Sequence, residues 1–485
     1  MKKIHWLYLV LLFLIVLPIF SNLGTLPIRI WDESRLAINA LEMLDNKDFI
    51  VTHFENKPDM WNTKPPLNIW LQVLSISLFG ISEFAIRFPS AVAAFLSCVV
   101  IFFFTVKYLK NYYFGLISIF VLITCHGYIN IHASRTGDYD SLLCLFTTLS
   151  ALSYFYFLET KIVKYYYVFF ISLILAVMTK GINGLLILPA LFFYTIYLKE
   201  FKFVFFKKET YFGISIFIFL VMCYYFMREH YNHGYLKSVF ENELGGRFLN
   251  VIENHHASGW YYYFNFIHFQ ILEWYLLVPC GVLIGIYHKN EKIRRLSIFS
   301  TLFIFCFIAI ISAASTKLEW YDVPSYPFIS IIIAVSIFFI FELIQSINLN
   351  SIKLKINVLP VIFLFLVFIA PYRKIVNKTY KPVEYPWDVN FYRISYYLKD
   401  AIQGKHDLNK KFLVYEDYNA HLLFYLKTLQ KSGINFNFKS TENVQQGDQL
   451  VIPQSNVQEK IRNSWNTELL EEDNSVVTFL IKEKK

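Results

Sequence analysis

The chain has 485 residues, of which 56% are hydrophobic and 17% are charged, and its mean hydropathy is +0.43. This composition excludes a soluble globular protein of the same length and indicates a membrane protein with many spans. The formal net charge of +9 does not indicate nucleic-acid binding, because the lysines and arginines are scattered through short loops and not gathered on one soluble face.

Apolar segments near the length needed to cross about 30 Å of hydrocarbon recur along the chain. They predict about eleven transmembrane helices, at 4–21, 84–106, 113–130, 141–158, 165–179, 183–198, 210–227, 266–287, 296–314, 327–345 and 356–372. We expect the first segment to remain as an uncleaved span, because no A-x-A-like signal peptidase site follows it.

Positive charge alternates between the predicted loops. If the amino terminus is cytoplasmic, every cytoplasmic loop carries a group of basic residues, namely Lys107, Lys110, Lys161, Lys164, Lys199, Lys202, Lys207, Lys208, Lys289, Lys292, Arg294, Arg295, Lys353 and Lys355. This is a consistent positive-inside pattern. The remaining loops, which hold acids and bases in mixed clusters, then lie outside together with the carboxyl tail.

The sequence divides into a transmembrane part, residues 1–372, and a soluble extracytoplasmic part, residues 373–485. In the first outer loop, about 22–83, the segment LNIWLQVLSISLF at 67–79 is short for a span, and we interpret it as an interfacial helix along the bilayer. The tail contains the apolar runs FLVYE, LVIP and VVTFLI between turn-forming and charged stretches. These runs predict a small mixed α/β domain.

A charged cluster, RIWDESRL at 29–36, follows the first apolar segment directly. Asp32 and Glu33 would stand where water meets lipid. Partial desolvation raises the pKa of a carboxylate and suits it to take a proton from an attacking hydroxyl. The alternative is structural, with a salt bridge to Arg29 or Arg35 that anchors the loop.

Four more outer motifs carry candidate binding residues. NTKPPL places Lys64 before two prolines that fix the backbone, where its ammonium could meet a lipid phosphate or merely seek headgroups. SRTGDYDSLL places Asp138 and Asp140 at a tight turn, and helix capping would explain one of these acids but not the whole group. MTKGING at 178–184 and STKLEWYDVPSYP at 315–327 add Lys180, Lys317 and Tyr321.

The signals for metal and thiol chemistry are weaker. Arg247, His255 and His256 precede GWYYYF; the two histidines could bind a divalent metal, although adjacent ligands are not a typical zinc spacing. The six cysteines lie in or beside apolar segments without a CxxC pair, and we interpret them as packing residues. No GxGxxG, Walker A or GxSxG arrangement stands out, so soluble nucleotide-dependent chemistry has little support.

Taken in order, five segments resemble the membrane glycosyltransferases of the dolichyl-phosphate-mannose protein mannosyltransferase superfamily, especially the bacterial branch that contains lipid A aminoarabinose transferase. They are WDESRLAINALEML, TKPPLNIWLQVLSISLFGISEFAIRFPSAVAA, SRTGDYDSLLCLFTTLSAL, MTKGINGLLILP and KLEWYDVPSYP. No single segment is decisive, but the ordered set is specific and covers much of residues 30–330.

This resemblance implies a polytopic α-helical GT-C fold with outer juxtamembrane helices in the first loop and a periplasmic carboxyl-terminal domain. It also implies that Asp32 is the catalytic first-loop acid with Glu33 beside it, that Lys64 binds the donor phosphate, and that Asp140 is the acid after the third span. Many aminoarabinose transferases have Glu-Lys-Pro-Pro, whereas Thr63 precedes the lysine here. A metal or donor contact through that glutamate therefore cannot be carried over.

The expected function is transfer of a sugar from a polyprenyl-phosphate donor to lipid A, another glycolipid or a protein, with inversion, at the outer face of a bacterial cytoplasmic membrane. Positive charge would stabilise the leaving phosphate. The expected binding residues are Lys64, Arg35, Asp140, Asp138, Lys180, Arg247, Lys317 and Tyr321. The alternative is a transporter or flippase, which should place ionisable groups near the bilayer midplane in repeated halves. No cofactor is implied; metal dependence, the sugar, the acceptor and the oligomeric state stay open.

Overall fold

The computed structural model describes residues 2–246, 259, 261–346 and 358–485, and the membrane part is helical throughout apart from one short hairpin. Its helices follow one another along the chain as α1 Lys2–Phe20, α2 Asp32–Asn46, α3 Leu67–Phe79, α4 Glu83–Leu109, α5 Tyr112–Thr124, α6 Asp140–Thr160, α7 Val163–Lys180, α8 Leu188–Tyr197, α9 Phe201–Phe205, α10 Lys208–Tyr231, α11 Tyr235–Val239, α12 Tyr262–Ile271, α13 Leu277–Ile286, α14 Glu291–Ala313, α15 Tyr326–Ser346 and α16 Val358–Tyr380.

Among the described residues, seven helices are long and apolar enough to cross a membrane: α4, α6, α7, α10, α14, α15 and α16, with α7 and α15 extended by adjoining turns. The pair α12 and α13 is an eighth candidate, bent by 89° at the break between them. Three other predicted spans coincide with shorter apolar helices at Leu9–Phe20, Tyr112–Thr124 and Leu188–Tyr197. The multi-pass helical architecture is confirmed, but the predicted number of eleven spans is not.

The two ends of this bundle differ in chemistry. At one end, Lys110 and Lys161 adopt left-handed backbone conformations, with φ of 59° and 61°, and turn the chain from α4 into α5 and from α6 into α7. Arg295 pairs there with Glu159 at 3.2 Å. The loops that carry the mixed acid and base motifs leave from the opposite end, so one end of the bundle collects the candidate site.

The first loop folds over that end as α2, α3 and a short antiparallel hairpin, β1 His53–Phe54 with β2 Lys57–Pro58. The helix α3 coincides with the predicted interfacial segment. Its polar residues Asn68 and Gln72 are buried against the protein, whereas Leu74 and Leu78 are 56% and 68% exposed. An exposed apolar stripe of this kind suits a helix that lies in the membrane interface.

The carboxyl-terminal tail forms the predicted small α/β domain, with helices α17 Val389–Ile402, α18 Ala420–Lys431 and α19 Ser455–Ser464 and strands β3 Lys411–Leu413, β4 Phe436–Phe438, β5 Gln449–Ile452, β6 Trp465–Asp473 and β7 Val476–Lys484. The strands lie in the order β4-β3-β5-β7-β6. The β3 strand runs parallel to β4 and β5, and β7 runs antiparallel to β5 and β6. The sheet is therefore mixed.

This domain docks on the end of the bundle that carries the first loop. The Tyr425 hydroxyl donates to a Glu83 carboxylate oxygen at 2.9 Å and accepts from the Ile28 N–H at 3.0 Å. Lys427 pairs with Glu42 of α2 at 3.0 Å. Because Glu83 begins a spanning helix, these contacts hold the soluble domain directly above the candidate site.

Candidate active site

The second acid of the first-loop motif, Glu33, is the centre of a buried ionic cluster. Arg87 donates from Nε to one Glu33 oxygen at 2.7 Å and from Nη2 to the other at 2.9 Å. The backbone N–H groups of Arg29 and Gly137 also donate to it, at 2.7 and 2.8 Å. Burial favours the neutral form, but Arg87 and these donors hold the pKa of Glu33 below its usual range. Glu33 is thus an ionised anchor that joins α2, α4 and the turn before α6.

That turn is fixed by close packing at Gly137. Its carbonyl oxygen accepts from the Gln72 side chain at 2.8 Å. A Cβ at this position would lie 2.6 Å from the Ile86 side chain, so any larger residue would displace the turn. The turn carries Asp138 and Asp140 into the site.

Arg35 also has a partner within the first loop. Its guanidinium binds Asp59 through two hydrogen bonds of 2.8 and 2.7 Å and lies over the Phe54 ring, 4.4 Å from the ring centre. Asp59 further accepts from the Trp61 and Asn62 N–H groups, each at 3.0 Å. Arg35, expected from the sequence to bind substrate, holds the β1–β2 hairpin against α2.

Asp140 and Lys180 form a buried ion pair between the start of α6 and the end of α7. The Lys180 Nζ donates to Asp140 Oδ1 at 2.6 Å, and the two residues are 5% and 2% exposed. The same ammonium lies 5.1 Å from the centre of the Tyr321 ring. Three segments that are distant in sequence therefore meet at this pair.

Asp32 faces a second cluster on the loop between α5 and α6. One ligand atom from each of Asp32, His132 and Asp138 lies within 4.8 Å of the others. Thr136 donates to Asp138 and accepts from the His132 N–H. Two carboxylates and an imidazole at this spacing could hold a divalent cation.

His132 has an unusual backbone conformation, and its ring stacks on a neighbouring aromatic ring. Its backbone has φ of 60°, which a residue with a side chain rarely adopts. Its ring lies parallel to Trp320, with 3.7 Å between ring centres. Burial opposes protonation of the ring, but Asp138 and Asp32 outweigh burial and raise the pKa of His132 above its usual 6.5.

Lys64, in the first loop, pairs with an acid from a distant segment of the chain. Its Nζ is 3.1 Å from the Glu243 carboxylate and 5.6 Å from the centre of the Tyr139 ring. Glu243 also accepts from the Thr63 hydroxyl at 3.4 Å. A carboxylate from a distant segment therefore stands beside Thr63, the residue before the lysine.

Of the remaining residues that the sequence suggested for the site, the structure describes one and leaves three outside the described ranges. The Lys317 Nζ donates to the Ala314 carbonyl oxygen at 2.6 Å, and burial lowers the pKa of this lysine. Arg247, His255 and His256 lie outside the described residues.

Two cavities flank the site. An apolar cavity of about 450 Å³ is lined by Leu185, Ile311, Thr316 and Tyr321, with Glu243 at one side. A polar cavity of about 580 Å³ is lined by Trp31, His132 and Trp320 together with residues 385–392 of the tail. Since Trp320 and Tyr321 are consecutive, the short helical turn Glu319–Ser325 separates the cavities.

Known proteins share parts of this chain. Residues 63–226 match the family Dolichyl-phosphate-mannose-protein mannosyltransferase. An uncharacterized protein of Aquifex aeolicus is 29% identical over 332 residues, which cover 67% of this chain and 72% of that protein. The undecaprenyl phosphate-alpha-4-amino-4-deoxy-L-arabinose arabinosyl transferase of Wigglesworthia glossinidia brevipalpis is 26% identical over 336 residues, covering 67% of this chain and 57% of that protein.

The structural comparison extends over almost the whole chain. The crystal structure of ArnT from Cupriavidus metallidurans bound to undecaprenyl phosphate matches with a TM-score of 0.70 and 14% identity, covering 98% of both chains. The chain has the GT-C fold. Its resemblance to the mannosyltransferase superfamily and to the aminoarabinose transferase branch is thereby confirmed. At this identity the structural match shows the fold alone, so the activity has to be argued from the site.

Sequence reasoning missed several residues that the structure places in the site. His132 lies six positions before Asp138 in the same loop, and a single histidine there gave no spacing signal. Glu243 lies 179 positions after Lys64, and nothing in the sequence links the two residues. Only the fold brings these segments together.

Proposed function

We propose that the chain is an integral-membrane glycosyltransferase that moves a sugar from a polyprenyl-phosphate donor to a glycolipid or protein acceptor. The observation that carries this proposal is the buried Asp140–Lys180 pair, which lies beside the apolar cavity and within electrostatic range of Asp32. A reacting carboxylate, a phosphate-binding cation and an apolar groove are what transfer from such a donor requires. The relative from Wigglesworthia glossinidia brevipalpis is named for transfer from an undecaprenyl phosphate-linked sugar.

The apolar cavity is the proposed donor side. Its wall consists largely of aliphatic side chains from α8, α14 and the turn after α7, which suit the first isoprene units of a lipid carrier. The ammonium of Lys180 lies over Tyr321, which lines the cavity, and Lys64 reaches the same cavity through Glu243. Lys317 follows the lining residue Thr316 directly. An ammonium can donate three hydrogen bonds, so Lys180 and Lys64 can each bind the phosphate beside their carboxylate partners. Lys317 donates to a neutral carbonyl oxygen and adds the net positive charge that would stabilise the phosphate as it leaves.

Asp32 is the proposed base. The acceptor oxygen attacks the anomeric carbon, its proton passes to Asp32, and the bond from the anomeric carbon to the phosphate oxygen breaks with its electron pair on the phosphate. Attack opposite the leaving group inverts the anomeric centre. Glu33 cannot share this role, because its oxygens already accept four donors. Its proposed role is to position Asp32.

The charge difference between the two ends of the bundle suggests its orientation in the membrane. The lysine-rich end of the bundle would face the cytoplasm, which puts the site and the carboxyl-terminal domain, residues 373–485, at the outer face of a bacterial cytoplasmic membrane. A transporter would be expected to keep ionisable groups near the bilayer midplane. Here the ion pairs of Asp140 and Glu33 lie at helix ends.

Two measurements test the proposed function. The full-length protein in detergent, given a radiolabelled polyprenyl-phosphate sugar, should release polyprenyl phosphate, which a transporter would not do without a second compartment. Mass spectrometry of glycolipids and glycoproteins from cells with and without the gene should show one altered pool. Absence of donor cleavage together with no change in either pool would contradict the proposal.

Replacement of Lys180 tests the donor side. We expect Lys180→Met to raise the dissociation constant for undecaprenyl phosphate by about 10- to 100-fold, the contribution of one charge-assisted hydrogen bond. Because Asp140 would be left without its partner, the double variant Asp140→Asn/Lys180→Met should be measured beside it. Binding to protein in nanodiscs gives the constant.

The matched control is Lys292→Met at the opposite end of the bundle, where the Nζ donates to the Tyr108 carbonyl oxygen at 3.1 Å. It should leave the dissociation constant unchanged within about twofold. If the Lys180 variants bind as the control does, Lys180 does not contact the donor phosphate.

A further inference from the structure

The polar cavity opens beside Asp32, on the side away from the apolar cavity. Trp31, the residue before Asp32, lines it together with His132. The Trp31 backbone has φ of 72°, an unusual conformation for a residue with a side chain. The residue is 51% exposed, and its ring stacks on Tyr418 with 4.7 Å between ring centres. A strained residue that presents an aromatic ring beside the proposed base is typical of a binding position.

Aromatic rings form much of the wall of this cavity. Tyr385 and Trp387, from the segment that joins the membrane part to α17, stack with 4.9 Å between ring centres, and Trp387 is 74% exposed. Trp320 contributes a third ring, held against His132. Exposed flat apolar faces with polar neighbours suit sugar rings, which present C–H faces and hydroxyl edges.

The charge of the cavity is negative. Glu319, Asp322 and Asp388 line it, and among the described residues neither Glu319 nor Asp388 forms a side-chain hydrogen bond or an ion pair. Asp322 is only 1% exposed and accepts from the Tyr326 hydroxyl at 2.8 Å, so the exposed negative charge of the cavity comes from Glu319 and Asp388.

The cations near the cavity are already engaged. Arg29 lines it, but Glu384 accepts two hydrogen bonds from its guanidinium at 2.6 and 2.8 Å. Lys378 donates to the Ile129 carbonyl oxygen and the Asn130 side chain. His132 lies beside Asp138. A phosphate entering this cavity would meet two carboxylates, and among the described lining residues no cation lacks an acidic partner.

We propose that this polar cavity receives the acceptor, and that the acceptor is a sugar hydroxyl on a headgroup that is uncharged or carries an ammonium group. The assignment rests on the proposed function. Carboxylates attract an ammonium group, the aromatic rings stack on the sugar and bind the cation through their faces, and the same carboxylates repel a phosphorylated headgroup. A hydroxyl acceptor also gives Asp32 a proton to remove, which an ionised phosphate would not.

The test compares two probes on the full-length protein in nanodiscs: a glucosamine disaccharide and the same disaccharide carrying two phosphate groups. Saturation-transfer NMR titration gives both dissociation constants. We expect the unphosphorylated probe to bind at least about tenfold more tightly. The double variant Glu319→Gln/Asp388→Asn should reduce this preference to about twofold or less.

Trp387→Ala should weaken binding of both probes by about tenfold, because it removes the stacking surface and the cation-binding face. Its matched control is Phe206→Ala, an aromatic residue that is also 74% exposed but lies at the lysine-rich end of the bundle. Glu55→Gln, an exposed acid of the first-loop hairpin, is the control for the carboxylate variants. Neither control should change either dissociation constant.

Three results would overturn the acceptor assignment: tighter or equal binding of the phosphorylated probe, cavity variants that behave as the controls do, or no binding of either probe in the millimolar range. Release of polyprenyl phosphate from a polyprenyl-phosphate sugar, with a glycolipid and glycoprotein extract of the cells as acceptor, is measured on the same samples. If the wild-type protein cleaves no such donor, the proposed function fails whatever the saccharides do. If it cleaves the donor and the saccharide preference is reversed, only the acceptor assignment fails.

Discussion

Asp32→Asn is expected to lower the rate of sugar transfer by about 10²- to 10⁴-fold, the usual contribution of a positioned general base. Asparagine keeps the size and the hydrogen-bonding capacity of the side chain but cannot accept the acceptor proton. The charged partners of the neighbouring acids do not depend on Asp32, since Lys180 binds Asp140 and Arg87 binds Glu33. Transfer from a radiolabelled polyprenyl-phosphate sugar, with the thermal midpoint of the same sample, measures the effect.

Asp45→Asn is the matched control, because Asp45 lies at the other end of α2 and pairs with Lys431 on the surface. It should change the transfer rate by less than about twofold. The dissociation constant for undecaprenyl phosphate should also stay near the wild-type value in Asp32→Asn, since the proposed donor contacts lie at Lys180. A folded Asp32→Asn protein with an undiminished rate would remove Asp32 from the reaction.

The sequence predicted the features that depend on local composition and periodicity. Apolar runs predicted a helical membrane part, the short segment 67–79 predicted the exposed leucines of α3, and the runs in the tail predicted β3, β5 and β7. Each of these features follows from the residues inside one segment. The count of eleven spans is not confirmed, because helices such as α5 and α8 are short, and segment length alone does not show how a helix sits in the bundle.

The candidate site was predicted only as a set of acids and bases that share one end of the bundle. Pairing could not be predicted, because Arg87 lies 54 positions from Glu33 in sequence and Glu243 lies 179 positions from Lys64. The adjacent acids Asp32 and Glu33 had equal status in the sequence. The structure distinguishes them. Glu33 accepts hydrogen bonds from Arg87 and Gly137 inside the protein, whereas Asp32 faces His132 and Asp138.

The largest expected effect on stability is at Arg87. Arg87→Met should lower the free energy of unfolding by about 3–5 kcal/mol, because it leaves the Glu33 carboxylate buried without its charged partner. Arg87 also donates to the carbonyl oxygens of Leu23, Leu26 and Pro27 at 2.7–2.8 Å, so the connection from α1 to α2 would loosen as well. Thermal and denaturant unfolding of the protein in detergent measure the loss.

Two comparisons separate the buried charge from the lost packing. The double variant Glu33→Gln/Arg87→Met should recover part of the stability, because a neutral side chain costs less to bury than an unpaired carboxylate. Lys482→Met, at a pair with Glu468 whose side chains are 50% and 53% exposed, should cost less than about 1 kcal/mol. A double variant less stable than Arg87→Met would show that the charge of Glu33 is not what destabilises the single variant.

The same ion pair should give the wild-type protein a defined response to acid. Because the pKa of Glu33 is lowered in the folded protein from the ordinary value of 4.5, the contribution of the pair is complete above that value and declines as the pH falls below it. In Arg87→Met the carboxylate has no partner, so acid should cost the variant less stability than it costs the wild type. Unfolding curves recorded between neutral pH and the acid range should therefore converge, and curves that stay parallel would argue that Glu33 is not ionised in the folded protein.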